Sequence, residues 1–198
     1  MNNKAIKLTV DYFTIAFICI LTILCGDSKY PAALISAVCH EIGHLAVMRF
    51  YGCNNIDIKI NMFNFAISDK LKGTRSYRQD AAIIIAGPAV NLIMTVIFGL
   101  LNRCFELEIL HNISIISGIL CFFNLLPILS TDGGQLLEIA LSCRYSLRTV
   151  NIVMITLSLL FIIPLACFAF YVLLQSKYNY TLLFSVLYLC FVTLIKIV

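Results

Sequence analysis

Charge is what this 198-residue sequence has least of: Asp, Glu, Lys and Arg together make up 12%, about half the roughly 25% of an ordinary soluble domain. So few charges cannot cover a water-facing surface. With 61% hydrophobic residues and a mean hydropathy of +0.98, the chain is excluded from the soluble globular class and read as a membrane protein. Repeats, low-complexity tracts and linkers are also missing, so a single domain spanning residues 1 to 198 is expected. No repeated CxxC spacing occurs among the nine cysteines, which fall mostly in apolar blocks. They read as small apolar groups, with neither a disulfide framework nor a cysteine metal site implied. Small residues before a cleavage point are absent as well: Ile23, Leu24 and Cys25 precede Gly26, so the apolar run after Lys4 and Lys7 reads as a retained first span and not a secretion signal.

Six apolar blocks remain, at about 9 to 25, 32 to 50, 80 to 101, 113 to 129, 149 to 174 and 181 to 197. Each approaches the roughly 20 residues that a helix needs to cross a hydrocarbon core. The expected fold is an all-α membrane protein of about six transmembrane helices. With the N-terminus placed in the cytoplasm, eleven of the 14 Lys and Arg residues fall on that side and three on the other. That asymmetry predicts cytoplasmic termini at both ends and explains the net charge of +4 without nucleic acid.

The longest polar stretch, Tyr51 to Gln79, lies between the second and third spans on the predicted cytoplasmic side. Ile56, Ile58, Ile60 and Met62 alternate with Asp57, Lys59, Asn61 and Phe63, and the phase then flips so that Phe63, Phe65 and Ile67 alternate with Asn64, Ala66 and Ser68. Period 2 predicts strand, and the flip predicts a bulge or hairpin turn near 61 to 64, giving a short β-like hairpin or loop. The cluster Lys70, Lys72, Arg75 and Arg78 reads either as a topology signal or as a site for anionic headgroups.

Histidine is rarer still, with three in the chain, yet two of them stand in CHEIGH (residues 39 to 44) inside the second span. His40 and His44 are i and i+4, so on a helix their imidazoles share one face at the spacing that lets both hold one ion. Glu41 borders that face, near enough to reach a water beside the ion without being a ligand. This is the helical HExxH arrangement of zinc hydrolases, and a shuffled chain of this composition carries it roughly once in a thousand cases. A carboxylate kept at membrane depth costs on the order of 2.5 to 3.5 kcal/mol, which favours a site over histidines that merely bond neighbouring helices.

Tetrahedral zinc with one open position needs a third protein ligand. His111 falls in the predicted external loop and reads as a solvated residue. Asp132 follows the fourth span in FFNLLPILSTDGGQLL, where Pro127 is expected to end the helix, Asp132-Gly133-Gly134 to reverse the backbone, and Gln135 to begin a short helix. In isolation that aspartate is a turn residue; beside an HExxH it becomes a candidate ligand.

HEIGH in the second span, AGPAVN (86 to 91) in the third and NLLPILSTDGG (124 to 134) after the fourth together resemble the three signatures of the site-2 protease family of intramembrane zinc metalloproteases. The resemblance covers a core of about 33 to 140, and the six-span layout is similar to the branch that processes membrane-associated sporulation sigma factors. It implies one zinc ion per chain held by His40, His44 and Asp132, with Glu41 as catalytic acid and base. Asn124 is implied to hold substrate or transition state, and Gly87, Pro88 and Asn91 to support the site. The implied substrate is a membrane-embedded or membrane-tethered protein cut near the cytoplasmic face, in a lipid bilayer for which a bacterial plasma membrane is the simplest home. Where the family often carries a Pro-x-Gly-Gly type element, this chain reads NMFNFAIS, and neither a PDZ domain nor a C-terminal regulatory domain is expected within it. Two rivals differ in class. A catalytically silent relative that binds a partner would tolerate loss of Glu41, and a metal-ion transporter would need more intramembrane carboxylates or histidines than Asp11 and Asp80 at span edges.

Overall fold

The structure is a computed structural model that describes residues 6–10, 27–53, 56–61, 64–69, 75–176 and 181–197. In chain order its elements are β1 (Ile6–Val10), α1 (Lys29–Phe50), β2 (Ile56–Asn61), β3 (Asn64–Asp69), α2 (Tyr77–Phe105), α3 (Glu108–Asn124), α4 (Asp132–Ser142), α5 (Leu147–Ser176) and α6 (Thr181–Ile197). Three of the helices, α1, α2 and α5, are long and apolar enough to cross a membrane, while α3 and the apolar part of α6 are shorter. The chain is thus a helical membrane protein carrying a small sheet. Two compact units divide it, Met1–Cys121 and Phe122–Val198.

In the first unit, α1 turns an uninterrupted stripe inward: Ala32, Ser36, His40, Gly43, His44 and Met48 are buried. Leu34, Ile35, Val38 and Ile42 are exposed on the other side. A helix whose polar residues face protein and whose aliphatic residues face out is the pattern lipid imposes. Two glycines bring α1 and α2 together, since a Cβ at Gly43 would strike the Ala86 carbonyl and one at Gly87 would strike both imidazoles. Small residues at such crossings let backbones approach closely enough for dispersion and polar contacts to hold helices where lipid removes the hydrophobic drive. Farther along, Ala32, Met94 and Ile113 form an apolar cluster shared by α1, α2 and α3, and Ser36 meets Ser117 at 2.9 Å.

Helix α2 begins in a capping box. The Ser76 hydroxyl accepts from the Gln79 amide and the Gln79 side chain accepts from the Ser76 amide, satisfying two donors that a helix start leaves open. Arg75, just before it, donates through Nε to Asp80 at 2.7 Å and through Nη1 to the buried Cys53 Sγ at 2.9 Å. Burial opposes the guanidinium's charge, but the Asp80 carboxylate and the Cys53 thiol outweigh it and hold the Arg75 pKa above its ordinary value. The contact ties the residue just beyond α1 to the start of α2, at the base of the segment that carries the hairpin.

That hairpin is present. β2 pairs antiparallel with β3 from Ile56 opposite Asp69 to Asn61 opposite Asn64, as the phase flip in the sequence predicts. A third strand joins it: β1 runs parallel to β2 from Ile6 opposite Ile56 to Val10 opposite Ile60, giving the order β1-β2-β3. The expected first span, starting at about residue 9, is corrected here, since Thr9 and Val10 belong to a strand. Apolar Ile6, Leu8 and Val10 alternate with Lys7 and Thr9, the same period-2 signal as in β2. The rest of that span, 11 to 25, lies outside the described residues.

In the second unit, Ile128, Ile162, Ala169 and Val186 form the core, joining the segment before α4 to α5 and α6. Helix α3 starts earlier than the expected fourth span and ends at Asn124, two residues short of the Leu126 that Pro127 bars from helical geometry. Ser158, buried in α5, donates to the Met154 carbonyl at 2.7 Å and accepts from the Leu129 amide at 2.9 Å. It thereby fixes the irregular stretch that leads into α4.

Candidate metal centre

His40 and His44 lie one turn apart on α1, both buried. Their rings stand edge to face with centroids 4.8 Å apart, and their Nε2 atoms are 3.1 Å apart. Two nitrogens bound to one tetrahedral zinc at about 2.0 to 2.1 Å would be about 3.3 Å apart. The observed spacing therefore fits an ion with little adjustment.

What aims the two rings comes from α2. His44 Nδ1 meets the Ile83 carbonyl oxygen at 2.8 Å. A carbonyl can only accept, so His44 Nδ1 carries the proton and Nε2 presents its lone pair. His40 Nδ1 meets Asn91 Nδ2 at 3.0 Å, and Asn91 is fully buried. Gly87 lies against both rings, so any side chain there would occupy the space the imidazoles need. Next to it, Pro88 lacks the amide that would bond the carbonyl four residues back, which loosens α2 beside the site. His40, His44, Gly87 and Asn91 are in this way brought together within the first unit. Glu41 follows His40 on α1 and is partly buried.

The remaining candidates, Asn124 and Asp132, belong to the second unit. Asn124 closes α3. Asp132 opens α4, and the expected tight reversal at Asp132-Gly133-Gly134 is corrected: these residues form the first helical turn. Thr131 is the N-cap. Its hydroxyl accepts from the Gly134 amide at 3.4 Å and faces the carbonyls of Leu126 and Ile128 at 2.5 and 2.9 Å. The glycines serve packing and not a left-handed turn, because Cβ atoms would collide with the Leu125 carbonyl at Gly133 and the Ile128 carbonyl at Gly134; neither is among the described residues of positive φ. A carboxylate in the first turn of a helix is favoured by the positive end of the helix dipole, and Asp132 occupies that turn.

The Ile83 carbonyl is the site component that side-chain patterns leave out, since every residue type offers the same oxygen. Asn91 was visible as a polar residue in an apolar run, and its partner, His40, became visible only with the α1–α2 crossing.

No family model matches the chain. Stage IV sporulation protein FB of Bacillus subtilis is 29% identical over 182 residues, covering 86% of this chain and 62% of that protein. A zinc metalloprotease of Methanocaldococcus jannaschii is 31% identical over 147 residues, covering 66% of this chain and 42% of that protein. The chain thus spans less than two thirds of either relative. Among solved structures, a site-2 protease from Methanocaldococcus jannaschii superposes with a TM-score of 0.69 at 21% identity, covering 98% of this chain and 93% of that one. The fold is shared with that protease, and the resemblance carried by HEIGH, AGPAVN and NLLPILSTDGG is matched by the relatives found.

Proposed function

We propose that the chain is an intramembrane zinc metalloprotease that hydrolyses a peptide bond of a membrane-embedded or membrane-tethered protein near the cytoplasmic face. The observation that carries this reading is the His40–His44 pair, with Nε2 atoms 3.1 Å apart and each Nδ1 engaged by α2. The family resemblance adds Asp132 as the third ligand to the one ion, in a chain read as a single catalytic domain. A zinc ion held by these residues supplies Lewis acidity, acidifying water and polarising a carbonyl. Glu41 takes the proton from the attacking water and returns it to the leaving amine, the work of a general base turned general acid. Asn124 helps hold substrate or transition state, while Gly87 and Pro88 keep room for the rings.

A substrate helix hides its carbonyls in hydrogen bonds, so it has to be unwound before attack. The sheet offers a way to hold an unwound segment. Among the described residues β3 pairs on one side alone, with β2, and an extended peptide added to its free edge keeps its backbone satisfied. Lys and Arg asymmetry supports cytoplasmic termini and a cytoplasmic hairpin, in a membrane for which the bacterial plasma membrane fits the sporulation relative.

Zinc per chain is the test, measured on detergent-purified protein. About one zinc in the unaltered chain is expected, sharply reduced in His44→Ala and Asp132→Ala and retained in Glu41→Gln, which should cleave no substrate. Absence of site-dependent zinc in folded, zinc-supplied protein would remove the basis for hydrolysis and leave the partner-binding relative.

A further inference from the structure

One side chain at the cytoplasmic root of α1 and α2 holds two partners at once. Arg75 donates through Nε to Asp80 Oδ1 at 2.7 Å and through Nη1 to Cys53 Sγ at 2.9 Å, and its side chain keeps only 11% exposure. A guanidinium presents its donors in a planar fork, so two simultaneous bonds fix its position and its orientation together. Both partners lead to the same residue. Cys53, fully buried, packs with Met48 and Ile83 in one apolar cluster, while Asp80 precedes Ile83 on α2 by about 4.5 Å of helix axis. The Ile83 carbonyl oxygen is the group that His44 Nδ1 meets at 2.8 Å. Because packed interiors transmit displacement and do not absorb it, a shift of Arg75 reaches His44 by two routes, through the packing around Cys53 and through the first turns of α2.

Arg75 also faces the sheet along the chain. β2 begins at Ile56, close after Cys53, and β3 ends at Asp69, close before Arg75, so both ends of the segment that carries the hairpin are held at this one contact. We propose that Arg75 is a positioning residue that couples the hairpin to the metal centre: zinc on His44 steadies Ile83, and through Cys53, Asp80 and Arg75 it steadies the strands that offer an edge to substrate. The inference rests on the metalloprotease reading above. The element with two states is the hairpin itself, whose strands open and close locally. Opening frees its ends to move, and an Ile83 pinned by a loaded site resists that movement. By linkage the effect runs both ways, so an extended segment paired with β3 tightens the hold on the ion by the same factor.

Hydrogen exchange, read by mass spectrometry on the full-length protein in detergent, tests this without a substrate. In the unaltered chain, zinc loading should slow exchange across residues 56–69 by about fivefold or more, the lower bound of ordinary coupling between sites. Arg75→Gln is too short to span both partners. It should still bind zinc, with affinity weakened about fivefold in competition with a chromophoric chelator, and the zinc-dependent change across 56–69 should vanish. Arg78→Gln, altered at an exposed position one turn further on, should behave as the unaltered chain does. Simple loss of stability would raise exchange with and without zinc alike, whereas lost coupling removes the difference between the two states.

Should Arg75→Gln fail to fold, Asp80→Asn weakens the same contact and carries the same expectation. Hairpin exchange indifferent to zinc, in an unaltered chain that binds one zinc, would overturn the proposal and leave the metalloprotease reading standing. A zinc-dependent difference that survives undiminished in the variant would do the same. If the unaltered protein takes up no zinc, the proposal falls together with that reading.

Discussion

At the scale of single residues, the centre depends on an atom that is missing. A methyl group at Gly87 would overlap His44 Nε2 and His40 Cε1, so Gly87→Ala must displace both rings, including the His44 nitrogen that would face the ion. Zinc retained after gel filtration should fall at least about tenfold, in keeping with the strictness of ligand placement at metal sites; retention equal to that of the unaltered chain would mean that α2 gives way without cost. Thr131 presents a second case. Its hydroxyl caps α4, and Thr131→Ala should lower stability by about 1 kcal/mol, measurable as a lowered unfolding midpoint in detergent. The adjacency of His40 and His44 was legible because helical spacing dictates it. The roles of Gly133 and Gly134 were misread because glycine permits both a left-handed turn and a close approach, and sequence does not say which freedom is being used.

At the scale of elements, the sheet corrects one expectation and sharpens another. Ile58 lies in β2, the central strand, paired with both neighbours, so a test of the free edge belongs on β3. In a hairpin closed by a two-residue loop the closing pair is hydrogen-bonded, so on β3 the backbone of Phe65 and Ile67 faces away from β2. Ile67→Pro therefore removes an outward donor and spares the β2–β3 ladder. Cleavage should drop about tenfold or more against an Ile67→Ala control, the loss of one or two backbone hydrogen bonds at about 1 kcal/mol each, with zinc content unchanged. Equal turnover in the two variants would rule out strand addition at β3. The helices were legible from hydropathy because lipid-facing residues must be apolar. Strand β1 was missed because its five residues run straight into an apolar block, and block length masked the alternation.

At the scale of the whole molecule, zinc should behave as a ligand of the folded state. Stripping it with a chelator ought to lower the thermal midpoint, and restoring it at about a hundredfold over its dissociation constant adds about 2.7 kcal/mol. A midpoint indifferent to zinc would argue against the site. Topology reporters inserted near residue 63 and near Glu106 should report opposite sides of the membrane; the same side for both would overturn the orientation drawn from Lys and Arg.

One consequence concerns how such a chain is made. The partner of His44 lies 39 residues later in the sequence and the partner of His40 lies 51 residues later. While synthesis is under way, α1 enters the bilayer with two imidazoles and a carboxylate before the helix that accommodates them has been translated. A chain ending before Asn91 should therefore insert poorly and be cleared by quality control.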